Sequence, residues 1–420
     1  MLRSILLQQK EERNNLLKKD YLKRYSMNDI ELYLHSGLIK LITGPRRVGK
    51  SVFALQMLSD QNFAYLNFDD ELLLKYFEED QLWQTLLEVY PNFNFLLLDE
   101  IQNLKKWDLW ISKLYRRGIN LIITGSNANL LSNEMSGLLT GRYLQISILP
   151  FSFLEFAAFK KIQLIIETPT EMATLLNHIS DYLKFGGFPE TILSTSLIKN
   201  YLSSLLDSVL LKDITKRYNV RKSNDLYNLA HYLITNYSNP FSINSLSQDL
   251  QIGSIHTTQK FCRYLEDTLI FYYLPRYNSK LKWMQKAPQK VYIVDNGIIF
   301  SKSFEQSQNW GRLLENLVFI ELKRRGFSDH YSLFYYITRN NKEVDFVCTK
   351  GHQITQLIQV SYTINDPKTL KREITSLVEA SQELKCENLV LLTWNDKKQI
   401  TEKNVIINMI PIHEWLINQN

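Results

Sequence analysis

Two short stretches carry residue types that could act together on a phosphate. The first, Gly44-Pro45-Arg46-Arg47-Val48-Gly49-Lys50-Ser51, fills every required position of the pattern G-x-x-x-x-G-K-[ST]. Its glycines let backbone N–H groups wrap phosphates at a helix N-terminus, Lys50 can reach the β- and γ-phosphates, and the Ser51 hydroxyl can ligate Mg²⁺. Gly44 to Ser51, with Val52 behind them, are the candidate ATP-binding residues. The second stretch is Asp99-Glu100, reached directly from the apolar run FLLL. There Asp99 would hold Mg²⁺ through water and Ser51, and Glu100 would polarise an attacking water. A carboxylate pair on a solvated turn looks the same in isolation; the glycine-rich loop upstream favours chemistry. A kinase needs no hydrolytic glutamate at this place, so the pair favours ATP hydrolysis over phosphate transfer to a second substrate.

Three further positions could complete such a site. Ser126 and Asn127 follow the strand-like run NLIITG, where a polar tip could touch the γ-phosphate or the water, although a Gly-Ser-Asn turn is also an ordinary loop. Arg142 precedes YLQISI and could reach a neighbouring subunit's nucleotide as a finger, or be a surface cation. Arg46 and Arg47 add charge near the nucleotide or face solvent.

The elements around these residues follow from the patterning. Residues 1–36 carry apolar positions at helical spacing (Leu6, Leu17, Tyr21, Leu22, Tyr25) and read as a helical lead-in ended by Ser36-Gly37. Residues 37–150 alternate short apolar strands (LIKLIT, FAYLNF, FLLLDE, NLIITG, YLQISI) with helical segments, the signature of a parallel sheet with crossover helices. Residues 151–225 lose the strands and read as a helical lid. Residues 226–287 contain two helices about a turn at Ile252-Gly253-Ser254 and then a β-rich stretch, which suits a winged helix-turn-helix. Its second helix, HTTQKFCRYLEDT, is not strongly basic, so a DNA-reading module and a packing module both stay open. From 288 to 420 strands return (KVYIVDNGIIF, FYYITR, EVDFVCTK, TQLIQVSYTI, NLVLLTW). The fold class is α/β throughout, with a helical middle.

Composition narrows the class. Apolar residues at 45% and charged residues at 22% belong to a folded chain long enough for several cores. A net charge of +6 permits nucleic acid as a partner without requiring it. Cys262, Cys348 and Cys386 lie far apart with no CxxC pair, which fits reduced thiols in a cytoplasmic protein and gives no zinc site. No apolar stretch approaches the roughly 18 residues needed to span a bilayer, and the N-terminus turns charged before a signal core can form.

Taken together, GPRRVGKS, LLLDEIQN, ITGSNANLLS, LLTGRYLQISILPFSFLEF, FGGFPE, LLKDITKRY, KVYIVDNGI, LLENLVFIEL and EVDFV resemble the AAA-type bacterial and archaeal P-loop ATPases with a C-terminal DUF4143-type domain. The resemblance runs nearly end to end. It implies an AAA-like core with an additional strand, a helical lid, a winged helix and a restriction-endonuclease-like C-terminal fold. Glu315 would be the helix acid of a PD-(D/E)xK centre, with Glu343 and Asp345 on the strand KEVDFV and the third element on Gln359-Val360-Ser361. Gln359 stands where an acid should be and Ser361 where the lysine should be, unable to supply its charge; losing both an acid and the lysine would cost about a thousandfold or more in rate. The domain is therefore expected to be inactive, its acids structural and partnered by Arg339 or Lys342. The expected function is an ATP-binding and ATP-hydrolysing switch or remodeller, with DNA, a protein partner and further copies of the chain left open. The alternatives are a nucleotide-gated scaffold with negligible turnover and an ATP-dependent nuclease.

Overall fold

All five apolar runs of the N-terminal part pair with one another. In a computed structural model of the chain, β1 (Ile39–Thr43), β2 (Phe63–Asn67), β3 (Phe95–Asp99), β4 (Asn120–Gly125) and β5 (Tyr143–Ser147) form a parallel sheet in the order β2-β3-β4-β1-β5. The structure describes residues 1–24, 30–127, 139–193, 195–302, 309–364 and 366–418. Tyr25 of the lead-in pattern and residues 128–132 of ITGSNANLLS lie outside the described residues. Strands that are covered on both faces read as continuous apolar runs rather than alternations, and β1 and β3 are buried along their whole length. Lys40 interrupts β1, and its ammonium donates to the Ser36 carbonyl at 2.6 Å.

The chain divides into two compact units, residues 1–149 with 267–269 and residues 150–266 with 270–420. The stretch 1–36 belongs to the first of them. Helix α1 (Leu2–Leu17) sends Leu2, Ile5 and Leu6 into the same core as β1, β2 and β3. Its polar residues do a second job. Gln9 accepts from the Asn67 amide at 3.0 Å and donates to the Asn67 carbonyl at 3.1 Å, replacing the strand neighbour that the edge strand β2 lacks. Arg13 donates to the Phe63 carbonyl at the other end of β2 and lies over the Phe63 ring. Deleting residues 1–17 is therefore expected to leave an aggregating chain, since it bares both an apolar face and a strand edge; the soluble fraction on expression measures this, and a soluble, ATP-binding truncate would show α1 to be dispensable.

The second unit opens with helices whose starts are written in the sequence. Ser152 with Glu155 and Thr168 with Glu171 form capping boxes for Phe153–Lys160 and Pro169–Phe185. Ile198–Ser208 runs on into a π-helical stretch, Val209–Lys216. Helix Ser223–Thr235 comes next, followed by helices Ile243–Asp249 and Ile255–Asp267, with a small sheet in the order β6-β8-β7 built from β6 (Pro240–Phe241), β7 (Phe271–Pro275) and β8 (Gln289–Ile293). KVYIVDNGIIF is thus not one strand of the C-terminal sheet: β8 pairs with β6 and β7, and Asn296–Lys302 is a helix.

The break between them is made by Asp295, whose carboxylate joins two sequence motifs. It accepts from the Gly187 amide at 2.7 Å and the Gly297 amide at 2.8 Å. Gly186 has φ +75°, and a Cβ there would lie 1.7 Å from Asp295 Oδ1. The FGGFPE and VDNG motifs are one construction, with glycine at 186 because both the backbone and the carboxylate demand it. Burial pushes the Asp295 carboxyl up to about 7, although the two amides and Arg324 favour its charge.

The remaining strands, β9 (Leu333–Ile337), β10 (Glu343–Lys350), β11 (Gln353–Ser361), β12 (Leu389–Thr393), β13 (Lys398–Glu402) and β14 (Val405–Pro411), form a mixed sheet in the order β13-β14-β12-β11-β10-β9. Helix Trp310–Arg324 precedes it and Pro367–Leu384 connects β11 to β12. Among the described residues no helix is long and apolar enough to cross a membrane.

Candidate functional site

Three parallel strands end side by side and bring the site together. β4 lies between β1 and β3, so the loop after β1, the acids after β3 and the polar residues after β4 share the carboxyl edge of the sheet, where ligands bind in open α/β sheets. Gly44 approaches the Ile148 carbonyl so closely that a Cβ would stand 2.0 Å from it. The loop then turns through Arg47, at φ +66°, and Gly49, at φ +91°, into the helix Lys50–Met57. Arg24 straps this turn from outside, donating to the Val48 carbonyl at 3.1 Å and the Leu149 carbonyl at 2.6 Å. Pro45 and Val48 are buried, Arg46 is half-buried and Arg47 is exposed.

The side chains form two linked pairs. Ser51 Oγ donates to Asp99 Oδ1 at 2.9 Å, and Lys50 Nζ stands 3.4 Å from Glu100 Oε1 while donating to the Pro45 carbonyl at 3.0 Å. Asp99 also receives the Thr124 hydroxyl on Oδ1 and the Tyr65 hydroxyl on Oδ2, the latter at 3.2 Å. Glu100 sits at φ +51°, a costly place for a glutamate. Its amide donates to Thr124 Oγ1 at 3.0 Å, and its Oε2 receives the Gln102 amide and, at 3.1 Å, the Ser126 hydroxyl. The acids therefore differ in acidity. Burial, reinforced by Glu100, pushes Asp99 up to about 6 against the pull of Thr124, Ser51 and Lys50. Burial would raise Glu100 as well, but Lys50, Gln102, Arg46 and Ser126 outweigh it and hold that carboxyl below its ordinary value.

Asn127 is buried at the tip of β4. Arg142 is elsewhere. It is exposed just before β5, at the amino end of the sheet, with its guanidinium over the Tyr115 ring. The loop that follows β1 is at the opposite end, about 16 Å of strand away. Arg142 therefore takes no part in its own chain's site.

Four contributors had no role assigned from the sequence. Thr124 and Gln102 orient the two acids; a polar residue ending an apolar strand and the Gln two positions after Glu100 were the available signals. Tyr65 reads as an ordinary strand residue, and Arg24 carries no signal at all.

A parallel sheet with a phosphate loop after β1 and paired acids after β3 defines a P-loop ATPase-type fold. Family models agree: residues 36–157 match an AAA domain, 176–307 a domain of unknown function (DUF8612) and 310–415 a domain of unknown function (DUF4143). An uncharacterised protein of Methanocaldococcus jannaschii is 35% identical over 405 residues, 92% of this chain and 90% of that protein. A second, from Haemophilus influenzae, is 34% identical over 346 residues, 78% of this chain and 83% of its own length. A Walker-type ATPase of Pyrococcus abyssi superposes with a TM-score of 0.45 at 13% identity, covering 68% of this chain and 96% of that one. The chain belongs to the family of the first two, and it carries an AAA domain followed by a C-terminal DUF4143 domain.

Proposed function

We propose that this chain binds MgATP at Gly44–Val52 and hydrolyses it, and that it works as a switch or remodeller. The observation that carries this reading is the coupling of Ser51 to Asp99 at 2.9 Å beside the coupling of Lys50 to Glu100 at 3.4 Å. Ser51 would ligate Mg²⁺ with its hydroxyl, and Asp99, already joined to that hydroxyl, would hold the ion through water and Ser51. Bound with ATP, the ion would neutralise charge on the β- and γ-phosphates. In the same state the Lys50 ammonium would leave the Pro45 carbonyl and Glu100 Oε1 for the phosphates. Glu100, freed on that side and still held by Gln102 and Ser126, would accept a proton from water, and the buried Asn127 would help to place that water. Arg142, exposed and remote from its own site, suits a finger for a neighbouring copy, which makes an oligomer the working form.

DNA is one candidate partner, on the strength of the net charge of +6 and the two helices and small sheet of residues 240–293; a protein partner is the other. The deciding measurement is phosphate release from MgATP, with and without double-stranded DNA, for wild type and Lys50→Ala. Wild-type turnover that Lys50→Ala lowers by about two orders of magnitude or more supports the reading, and stimulation by DNA selects the nucleic-acid partner. A DNA-insensitive rate points to a protein instead. Tight binding with no phosphate release would replace hydrolysis by a nucleotide-gated scaffold, a reading favoured by one feature: every Glu100 oxygen already has a partner.

A further inference from the structure

A lysine missing from its expected place in the C-terminal domain is supplied from another strand. Lys290, on β8, is 1% exposed, and its ammonium lies 2.8 Å from Glu315 Oε1, 2.7 Å from Glu343 Oε1 and 3.3 Å from Asp345 Oδ1. An ammonium has three donors, and here each one faces a carboxylate. Arg339 and Lys342 are not the partners of these acids. Lys342 pairs with Glu379 at 2.7 Å, because neighbouring residues at the start of β10 point to opposite faces, and the Arg339 amide donates to Glu383.

Two of the acids receive a further donor, Glu315 on the oxygen that Lys290 holds and Asp345 on its other oxygen. Tyr292 donates to Glu315 Oε1 at 2.6 Å, and the Val360 amide donates to Asp345 Oδ2 at 2.9 Å. Gln359, at the acid position of the nuclease pattern, is turned away, giving its amide hydrogen to Glu373 at 2.7 Å and accepting from the Asp345 amide at 3.3 Å. Nor does the spacing suit a metal. Oxygens sharing one Mg²⁺ lie within about 4.2 Å of one another. Glu315, Glu343 and Asp345 do not bring one oxygen each within 4.8 Å of the others; among the described residues only Glu266, Asp329 and His330 do. The three acids are splayed as the hydrogens of an ammonium are. Burial disfavours the Lys290 charge, but the three carboxylates more than restore it and raise its pKa well above the ordinary value.

We infer that the Lys290 ammonium is a built-in cation standing where a divalent ion would sit among Glu315, Glu343 and Asp345, so that this centre is a metal-free ionic core and becomes a metal site only when the ammonium is removed. The acids persist because the lysine needs them, and the lysine ties the β6-β8-β7 sheet to β10 and to the helix Trp310–Arg324. The residues present do not fit a resident Mg²⁺, and no cleavage step follows from them.

The test is Mn²⁺ binding followed by electron paramagnetic resonance, together with melting temperature, on the full chain as wild type, Asp345→Asn, Lys290→Ala and the Lys290→Ala/Asp345→Asn double variant. Wild type and Asp345→Asn should bind Mn²⁺ alike, which sets aside any ion held at Ser51 and Asp99. Lys290→Ala should melt lower, take up one further Mn²⁺ that the double variant loses, and regain stability in its presence. Loss of a purely apolar packing contact would not be repaired by a divalent ion. The inference is overturned if wild type holds an Mn²⁺ that Asp345→Asn releases, if a folded Lys290→Ala gains no ion, or if wild type cleaves plasmid DNA with Mn²⁺ and Asp345→Ala does not. Should Lys290→Ala fail to fold, the comparison of wild type with Asp345→Asn and the plasmid assay decide alone.

Discussion

Phosphate release by Glu100→Gln should fall by about two to three orders of magnitude while MgATP binding stays within a few-fold of wild type. Glutamine keeps the size and the αL backbone of Glu100, and its carbonyl oxygen can still receive the Ser126 hydroxyl. What it loses is the charge that Lys50 stabilises at 3.4 Å and with it the capacity to take a proton. Binding should survive because the phosphate contacts belong to the loop and to Lys50. Removing the carboxylate even frees Lys50 from a competing partner, so a modest gain in affinity is the expected sign. Stopped-flow binding of a fluorescent ATP analogue, set beside a phosphate-release assay, separates the two quantities. If turnover stays near the wild-type rate, Glu100 is not the base. If binding and turnover fall together, its role is to shape the loop.

The second large effect concerns folding. Gly186→Ala should destabilise the second unit by about 4 kcal/mol or more, at the extreme of what single substitutions do. The new methyl group would have to share space with Asp295 Oδ1, 1.7 Å away, on a backbone at φ +75°. Moving the carboxylate would strand the Gly187 and Gly297 amides, both buried donors. Gly253→Ala is the control, since a Cβ there meets only the mobile end of Lys222, at 3.5 Å; it should change stability by about 0.5 kcal/mol or less. Thermal unfolding of both variants reads the difference. Near-equal melting temperatures would mean that Asp295 can swing aside and that the two motifs are not coupled.

The parts legible in the sequence were those in which a local pattern and its chemistry coincide. The strand before Gly44 and the apolar run before Asp99 pointed to β1 and β3, because a parallel strand buried on both faces reads as a continuous apolar run and the adjoining loop and acids set its context. The helical character of residues 151–225 was legible from the loss of strand-like runs, whereas the capping boxes at Ser152 and Thr168 were seen only in the structure. What stayed hidden were side chains that act on distant backbone. Nothing about Gln9 or Arg24 distinguishes them from surface residues until β2 and the phosphate loop are in place. Lys290 was obscured for a different reason. The nuclease pattern places its lysine two residues after an acid on the same strand, and Ser361 occupies that position; an ammonium entering from β8 belongs to a different stretch of chain, and spacing cannot reveal it. The helix at Asn296 was concealed by its own composition, since the apolar run VYIV and the later IIF differ from one continuous strand only by a turn at Asp295-Asn296-Gly297.

The clasp of α1 on β2 also sets an order of events on the ribosome. The first helix emerges with its apolar face bare, and the strand that Gln9 and Arg13 grip is made only some fifty residues later, with β3 later still; at about 5–20 residues per second, that face waits several seconds for its cover. Nascent chains of this protein should therefore be early clients of a ribosome-associated chaperone, and a tag fused ahead of α1 would burden a segment whose partner arrives late.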